Sequence, residues 1–189
     1  MHAALSTAPS ETSEEELLTL AMARASTALP PQGVSACATL AIVRGLRLAI
    51  AHLGNTRAYL IRNGNLSVLT RDDVIMLPSA PISVWEALGL TGAGRPPIPV
   101  VCKSLGTEND KPLSLAFHDL APRDVLLLST DGLHGGALFG GVEDAVIART
   151  VSGESKTLGT IRDQLYELAC TVGGKDNITI LIARILDEG

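Results

Sequence analysis

Asp124-Val125-Leu126-Leu127-Leu128-Ser129-Thr130-Asp131-Gly132-Leu133 is the stretch on which the reading of this chain turns. Its apolar run reads as a short buried strand. Asp131 closes the run and Gly132 follows it. A second stretch has the reverse order: Gly173-Gly174-Lys175-Asp176-Asn177 leads into Ile178-Thr179-Ile180-Leu181-Ile182. A carboxylate at one end of each of two buried strands is half of a divalent-metal site, because hard cations take oxygen ligands. A two-ion hydrolytic centre needs more acidic groups than this pair. Asp-Gly and Asp-Asn are also ordinary turn dipeptides, so the residues alone leave both readings open.

Outward from these strands, composition bounds the class. The chain has 189 residues, enough for one domain with a core of its own. Apolar residues make up 46% and the net charge is −5, which argues against disorder. No basic cluster is present and aromatics are scarce, which argues against a nucleic-acid partner. Cys37, Cys102 and Cys170 are far apart, odd in number and set in apolar stretches. They read as reduced core cysteines. The first residues lack the basic start and apolar run of a secretory signal. The longest apolar stretch, from Leu40 to Leu53, is broken by Arg44 and Arg47 and does not read as a membrane span. The expectation is a soluble cytoplasmic protein with no membrane partner.

Residues 1–12 read as a loose tail, and 13–189 as a single domain. Ser13 before Glu14-Glu15-Glu16 predicts a capped helix over 14–29, ended by Pro30-Pro31. The three glutamates read as a solvated first turn, not as ligands. Apolar runs at 36–43 and 46–53, then 57–62 and 66–69 around Asn63-Gly64-Asn65, predict four antiparallel strands in a meander. Residues 78–99, rich in proline and glycine, read as a long loop with a short helix at Trp85, Ala87 and Leu88. Strands are expected at 113–120, 125–129 and 177–185, and helices at 142–151 and 158–170. Helices that follow strands instead of alternating with them suggest an α+β layered domain.

A family resemblance rests on four motifs. Leu53-Gly54-Asn55-Thr56-Arg57-Ala58-Tyr59-Leu60, followed by Arg62-Asn63-Gly64 and Leu69-Thr70-Arg71-Asp72, resembles the G-D-S-R-x-Y-L hairpin and L-T-x-D-H element of metal-dependent serine/threonine phosphatases of the PP2C (PPM) type. Lys103-Ser104-Leu105-Gly106 resembles the family's r-x-L-G element. The opening stretch resembles D-x-L-L-L-x-S-D-G-L, and Gly173-Gly174-Lys175-Asp176-Asn177-Ile178-Thr179 resembles G-G-x-D-N-x-T. The motifs stand in the family's order across residues 36–185. The resemblance implies a β-sandwich flanked by helices, with two Mg²⁺ or Mn²⁺ ions at one edge and a metal-bound water that attacks phosphorus. It implies Asp131 and Asp176 as metal ligands, with Asn177 orienting the second loop.

The chain also departs from the pattern. The family's early acidic ligand and its D-G-x-G-G-H element have no counterpart before Ser35. The similar string Asp131-Gly132-Leu133-His134-Gly135-Gly136 belongs to the C-terminal motif. Asn55 stands where the family has Asp, Gly135 where a further Asp often follows, and Ser35-Ala36-Cys37-Ala38 replaces M-G-T-T. Two divalent ions bring four positive charges, against two negative ones from Asp131 and Asp176. The expected occupancy is weak, or a single Mg²⁺ or Mn²⁺. Gly132, His134, Asn177 and Asn55 are expected to line the site. Asp72, Asp73 and Asp110 read as solvated turn acids, and Arg57, Arg62 and Arg71 as solvated hairpin positions. No catalytic or phosphate-binding residue is identified.

The expected function is that of a PP2C-like domain, N-terminally shortened or degenerate, with an incomplete metal centre. Such a relative is weak or inactive and binds a protein partner or a phosphorylated segment. The alternative is an active Mg²⁺- or Mn²⁺-dependent phosphatase whose other ligands come from an upstream segment or a partner chain. A third reading is a structural domain without ligand. The strand at 36–43 is expected to present an open sheet edge, partly covered by Leu17, Leu20, Ala21 and Ala28 of the first helix, and to support a homodimer.

Overall fold

Ser13 starts the first helix by reciprocal capping. Its hydroxyl accepts the Glu16 N–H at 3.2 Å, and the Glu16 carboxylate accepts the Ser13 N–H at 3.1 Å. Helix α1 (Glu14–Thr27) then turns Leu17, Leu18, Ala21 and Met22 inward. Leu20, expected to pack, is 44% exposed. The computed structural model describes residues 12–30, 33–77, 83, 86, 98–106, 112–135, 140–153, 156–172 and 176–186. The predicted tail before Glu11, the short helix around Trp85 and Leu88, Asp110, Gly136 and Gly173-Gly174-Lys175 lie outside the described residues.

Two main sheets follow. Strands β1 (Ala38–Arg44) and β2 (Arg47–Leu53) pair antiparallel in unbroken register from Ala38↔Leu53 to Arg44↔Arg47. Strands β3 (Arg57–Arg62) and β4 (Asn65–Val68) form the second hairpin. Its turn has Asn63 at φ 51° and Gly64 at φ 79°, the two positive values that a tight Asn-Gly hairpin needs. The expected four-strand meander is corrected here: β2 and β3 do not pair. The chain leaves one sheet at Leu53 and enters the other at Arg57. Gly54, at φ 105°, makes the crossing.

Beyond this crossing, β5 (Val74–Leu77) and β6 (Ile98–Val101) form a separate two-stranded sheet that flanks the segment read as a loop. Strand β7 (Ser114–Asp119) joins β2, giving the order β1-β2-β7. Strand β8 (Val125–Ser129) sits between β3 and β9 (Ile180–Arg184), giving β4-β3-β8-β9. Helices α2 (Asp131–His134), α3 (Asp144–Val151) and α4 (Leu158–Val172) complete the elements used below. The last strand starts three residues later than predicted, so Asp176 opens an irregular segment, not the strand itself.

The layers explain why β8 is apolar from Val125 to Leu128. Tyr59, Val125 and Leu127 face α3 and α4, where Ile147, Ile161 and Leu165 are fully buried. Leu126 faces the other way, onto Leu48, Ile50 and Leu60 between the two sheets. Helix α1 closes the far side with Leu18 and Met22 on Ala49 and Ala51. The result is an α+β sandwich: helix, sheet, sheet, helices. Of the cysteines, Cys37 and Cys102 are half-buried and Cys170 is exposed, which corrects the expectation that all three sit in the core. No described helix is long and apolar enough to cross a membrane.

Candidate functional site

Pairing of Arg57 with Ser129 puts the start of β3 and the end of β8 at one end of the second sheet. Asp131 therefore emerges beside the Gly54-Asn55-Thr56 crossing. Asp131 is the first residue of α2, with Thr130 as its extended N-cap. The Thr130 hydroxyl donates to the Asn177 carbonyl at 3.0 Å and accepts the Thr179 N–H at 2.9 Å. A Cβ on Gly132 would lie 2.5 Å from the Asn177 carbonyl oxygen, so glycine is required for this approach. Thr130 and Gly132 thus clamp the loops of Asp131 and Asp176 together. Asp176 itself is exposed, and its Oδ1 accepts the following Asn177 N–H at 2.7 Å.

Asn55 takes part directly. Its Nδ2 donates to Asp131 Oδ2 at 2.7 Å, over 76 residues of sequence. The loop that aims it is held from below. Asp73 accepts the Gly54 N–H at 3.1 Å, donates its own N–H to the Gly54 carbonyl at 2.7 Å, and pairs with Lys103 at 3.0 Å. Asp72 takes Arg57 in a two-pronged pair, Nε at 2.9 Å and Nη2 at 2.8 Å. Asp72, Asp73 and Arg57 are therefore not solvated turn residues; they are partly buried and tied to one another and to the loop. Arg62 is likewise committed, to the fully buried Asp124 at 2.7 and 2.8 Å. Arg71 is exposed. Glu16 caps α1 and Glu14 pairs with Arg44 at 3.3 Å.

A buried proton-ordered chain supports the same loop. His52 Nε2 lies 3.0 Å from the Gly54 carbonyl, which accepts only, so this nitrogen carries the proton. In the neutral ring Nδ1 then accepts from the Thr39 hydroxyl at 2.9 Å, and Thr39 accepts from Thr56 at 2.7 Å. Burial pushes the His52 imidazole down, in keeping with that neutral form. Sequence reading missed this chain because Thr39, His52 and Thr56 lie on three segments that only the fold brings together.

His134 ends α2 instead of lying in a loop. Its Nδ1 is 3.5 Å from Ser129 Oγ, and its Nε2 is buried without a partner among the described residues. Its ring meets Tyr59 edge-on at 6.4 Å. Burial, and then the nearby Arg57 guanidinium, push His134 down to about 4. Burial pushes the Tyr59 phenol up to about 12. A depressed histidine binds its proton more readily in the unfolded chain, so stability is present above pH 6.5 and is lost as pH falls toward 4. The expected contribution of His134 to that loss is up to ~3 kcal/mol. His134→Gln should flatten the urea midpoint against pH between these limits; an unchanged slope would count against the assignment.

The arrangement brings Asp131, Asn55, Gly132, His134 and Asn177 to one corner, with Asp176 at its exposed rim. Among the described residues, no three His, Cys, Asp or Glu side chains converge in a way that could hold a metal ion.

With this geometry in place, comparison with known proteins is informative. The sequence model of the family "Protein phosphatase 2C" matches residues 3–75. The serine/threonine protein phosphatase PstP of Mycobacterium tuberculosis is 27% identical over 159 residues, covering 82% of this chain and 28% of that protein. The serine/threonine phosphatase stp of Listeria welshimeri is 27% identical over 153 residues, covering 79% of this chain and 56% of that protein. The chain thus spans between about a quarter and just over half of these relatives. The crystal structure of the M. tuberculosis phosphatase superposes with a TM-score of 0.69 at 24% identity, covering 98% of this chain and 79% of that one. The catalytic domain of PstP in complex with two manganese ions superposes at 0.70 and 23%. These two structures share the fold of this chain.

Proposed function

We propose that this chain, which belongs to the PP2C (PPM) family, is a phosphatase-type domain that recognises a protein partner or a phosphorylated protein segment and hydrolyses phosphate weakly or not at all. The observation that carries this reading is the Asn55–Asp131 hydrogen bond. An amide at this place has two consequences. It supplies no negative charge, and its N–H already takes one oxygen of the Asp131 carboxylate. A divalent ion there competes with the amide and sheds water for only two carboxylates, which disfavours it. The donors among the described residues do not fit a two-ion centre. At most one Mg²⁺ or Mn²⁺ binds weakly between Asp131 and Asp176. A cytoplasmic setting is part of the same reading.

The second reading is an active phosphatase whose remaining ligands come from an upstream segment or a partner chain. Its support is the manganese-bound structural relative and the phosphatase names of the sequence relatives. One sample separates the two. Calorimetric titration with Mn²⁺, followed by assay on an aryl phosphate and a phosphopeptide, is expected to show no saturable high-affinity heat and no robust turnover. Turnover near ~1 s⁻¹ that Asp131→Ala abolishes would establish the second reading instead.

A further inference from the structure

Arg57, Ser129 and Ile180 pair across β3, β8 and β9 beside the Asp131 corner. Further along the same three strands, about 14 Å away at ~3.4 Å per residue, Ile61, Val125 and Arg184 pair in the same way. A cavity of about 810 Å³ opens at this far end, between the Asn63-Gly64 turn, the end of α3 and the end of β9.

Its floor is core: Ile61, Val125 and Val151 line it and belong to the buried cluster under the helices. Its rim carries Arg123, Arg184 and Leu186. No Asp or Glu is among the described residues that line it, although the chain has 20 acidic residues against 15 Lys and Arg. Arg184 is exposed, and its guanidinium has no hydrogen-bond or ion-pair partner among the described residues. The acid nearest in sequence to Arg123, Asp124, is committed to Arg62 at 2.7 and 2.8 Å. Leu186 is 76% exposed, more than any other large apolar side chain among the described residues. The end of α3 brings roughly half a negative charge, felt only within its last turn. Two full cations outweigh it.

We propose that this cavity binds a small amphipathic anion. Its carboxylate or phosphate head sits on Arg184 with Arg123 beside it, and its single apolar body lies along Ile61, Val125 and Val151. A guanidinium grips either head through two parallel N–H···O bonds. An apolar floor with a few polar groups at the mouth, in this range of volume, is the usual setting for a small organic ligand. A bare anion leaves the floor wet, and a neutral apolar molecule leaves the cations unmatched. The site lies at the opposite end of β8 from Asp131, so it does not depend on whether that corner binds metal.

Octanoate and octyl phosphate are the probes, compared with octanol and inorganic phosphate on the full chain. Both probes are expected to bind with Kd on the order of ~0.3 mM, at least ~10-fold tighter than either comparison. Backbone amide shifts in NMR spectra should concentrate at Gly64, Ser152 and Gly153, which line the cavity. Arg184→Gln, at an exposed position, should weaken both probes ~10-fold or more while octanol binding and the thermal midpoint stay put. Octanol or inorganic phosphate binding as tightly as the probes overturns the proposal, because one half of the ligand would then suffice. Shifts that map elsewhere overturn it too, as does an Arg184→Gln variant that binds both probes as before. So does the absence of binding by either probe up to ~5 mM.

Discussion

Asn55→Asp is expected to turn a metal-indifferent fold into one whose unfolding temperature depends on Mn²⁺. The substitution replaces an N–H donor 2.7 Å from Asp131 Oδ2 with a second carboxylate. The lost hydrogen bond to a charged group costs about 1.5–3 kcal/mol. Two like charges at this range repel by a few kcal/mol at the dielectric typical of partly buried pairs, ~4 kcal/mol as an upper figure. The two terms together are about 3.5–7 kcal/mol, so without metal the variant should melt roughly 7–28 °C lower, taking ~2–4 °C per kcal/mol for a chain of this size. A divalent cation between the carboxylates relieves the repulsion, and Mn²⁺ at about 100 times its Kd returns ~2.7 kcal/mol. Asn55→Ala is the comparison: it loses the hydrogen bond and gains no charge, so its unfolding temperature should respond to Mn²⁺ far less than that of the Asp variant. If the Asp variant is equally insensitive, the corner is not a latent cation site, and the reading of Asn55 as the element that closes it is wrong.

Gly54→Ala should be strongly destabilising. Gly54 is at φ 105°, which costs an L-residue about 1–3 kcal/mol in strain. A Cβ there would also collide with the Cys37 side chain, reaching Cys37 Cβ at 2.5 Å and Cα at 3.0 Å. Relief requires backbone movement, which pulls on both Asp73 hydrogen bonds and on the His52 contact to the Gly54 carbonyl. The sum is ~3–5 kcal/mol by urea denaturation, in the range reserved for overpacking combined with backbone strain. Cys37→Ala should not rescue it, because the clash includes Cβ. A loss below ~1 kcal/mol, or full rescue by Cys37→Ala, would show that the crossing between sheets is softer than its geometry implies.

Several local features were legible in advance because their causes are local. The Ser13–Glu16 capping box needs only a hydroxyl and a carboxylate three residues apart. Asn63-Gly64 can adopt two successive positive φ values, and the hairpin followed. The unbroken apolar run of β8 required cover on both faces, and it has sheet on one side and helices on the other. Glycine beside Asp131 allowed the close approach to Asn177.

What the sequence by itself determined, then, is the capped first helix, the two early hairpins, the buried run of β8 and the two later helices; the β5–β6 sheet and the short helix at Asp131 were not in its pattern. Tertiary structure alone decided what these elements and their polar side chains meet. Strands β2 and β3 are both largely apolar, and nothing in their pattern says that they part company; the left-handed turn at Gly54 does. Asp72 and Asp73 look like turn acids until Arg57 and Lys103 arrive from other segments. Asn55 reads as the loss of a charge, but only the fold shows that its amide fills the place beside Asp131. The physical reason is common to all three. Periodicity and turn chemistry act within a few residues, whereas the partner of a charge or an amide is set by chain topology across tens of residues.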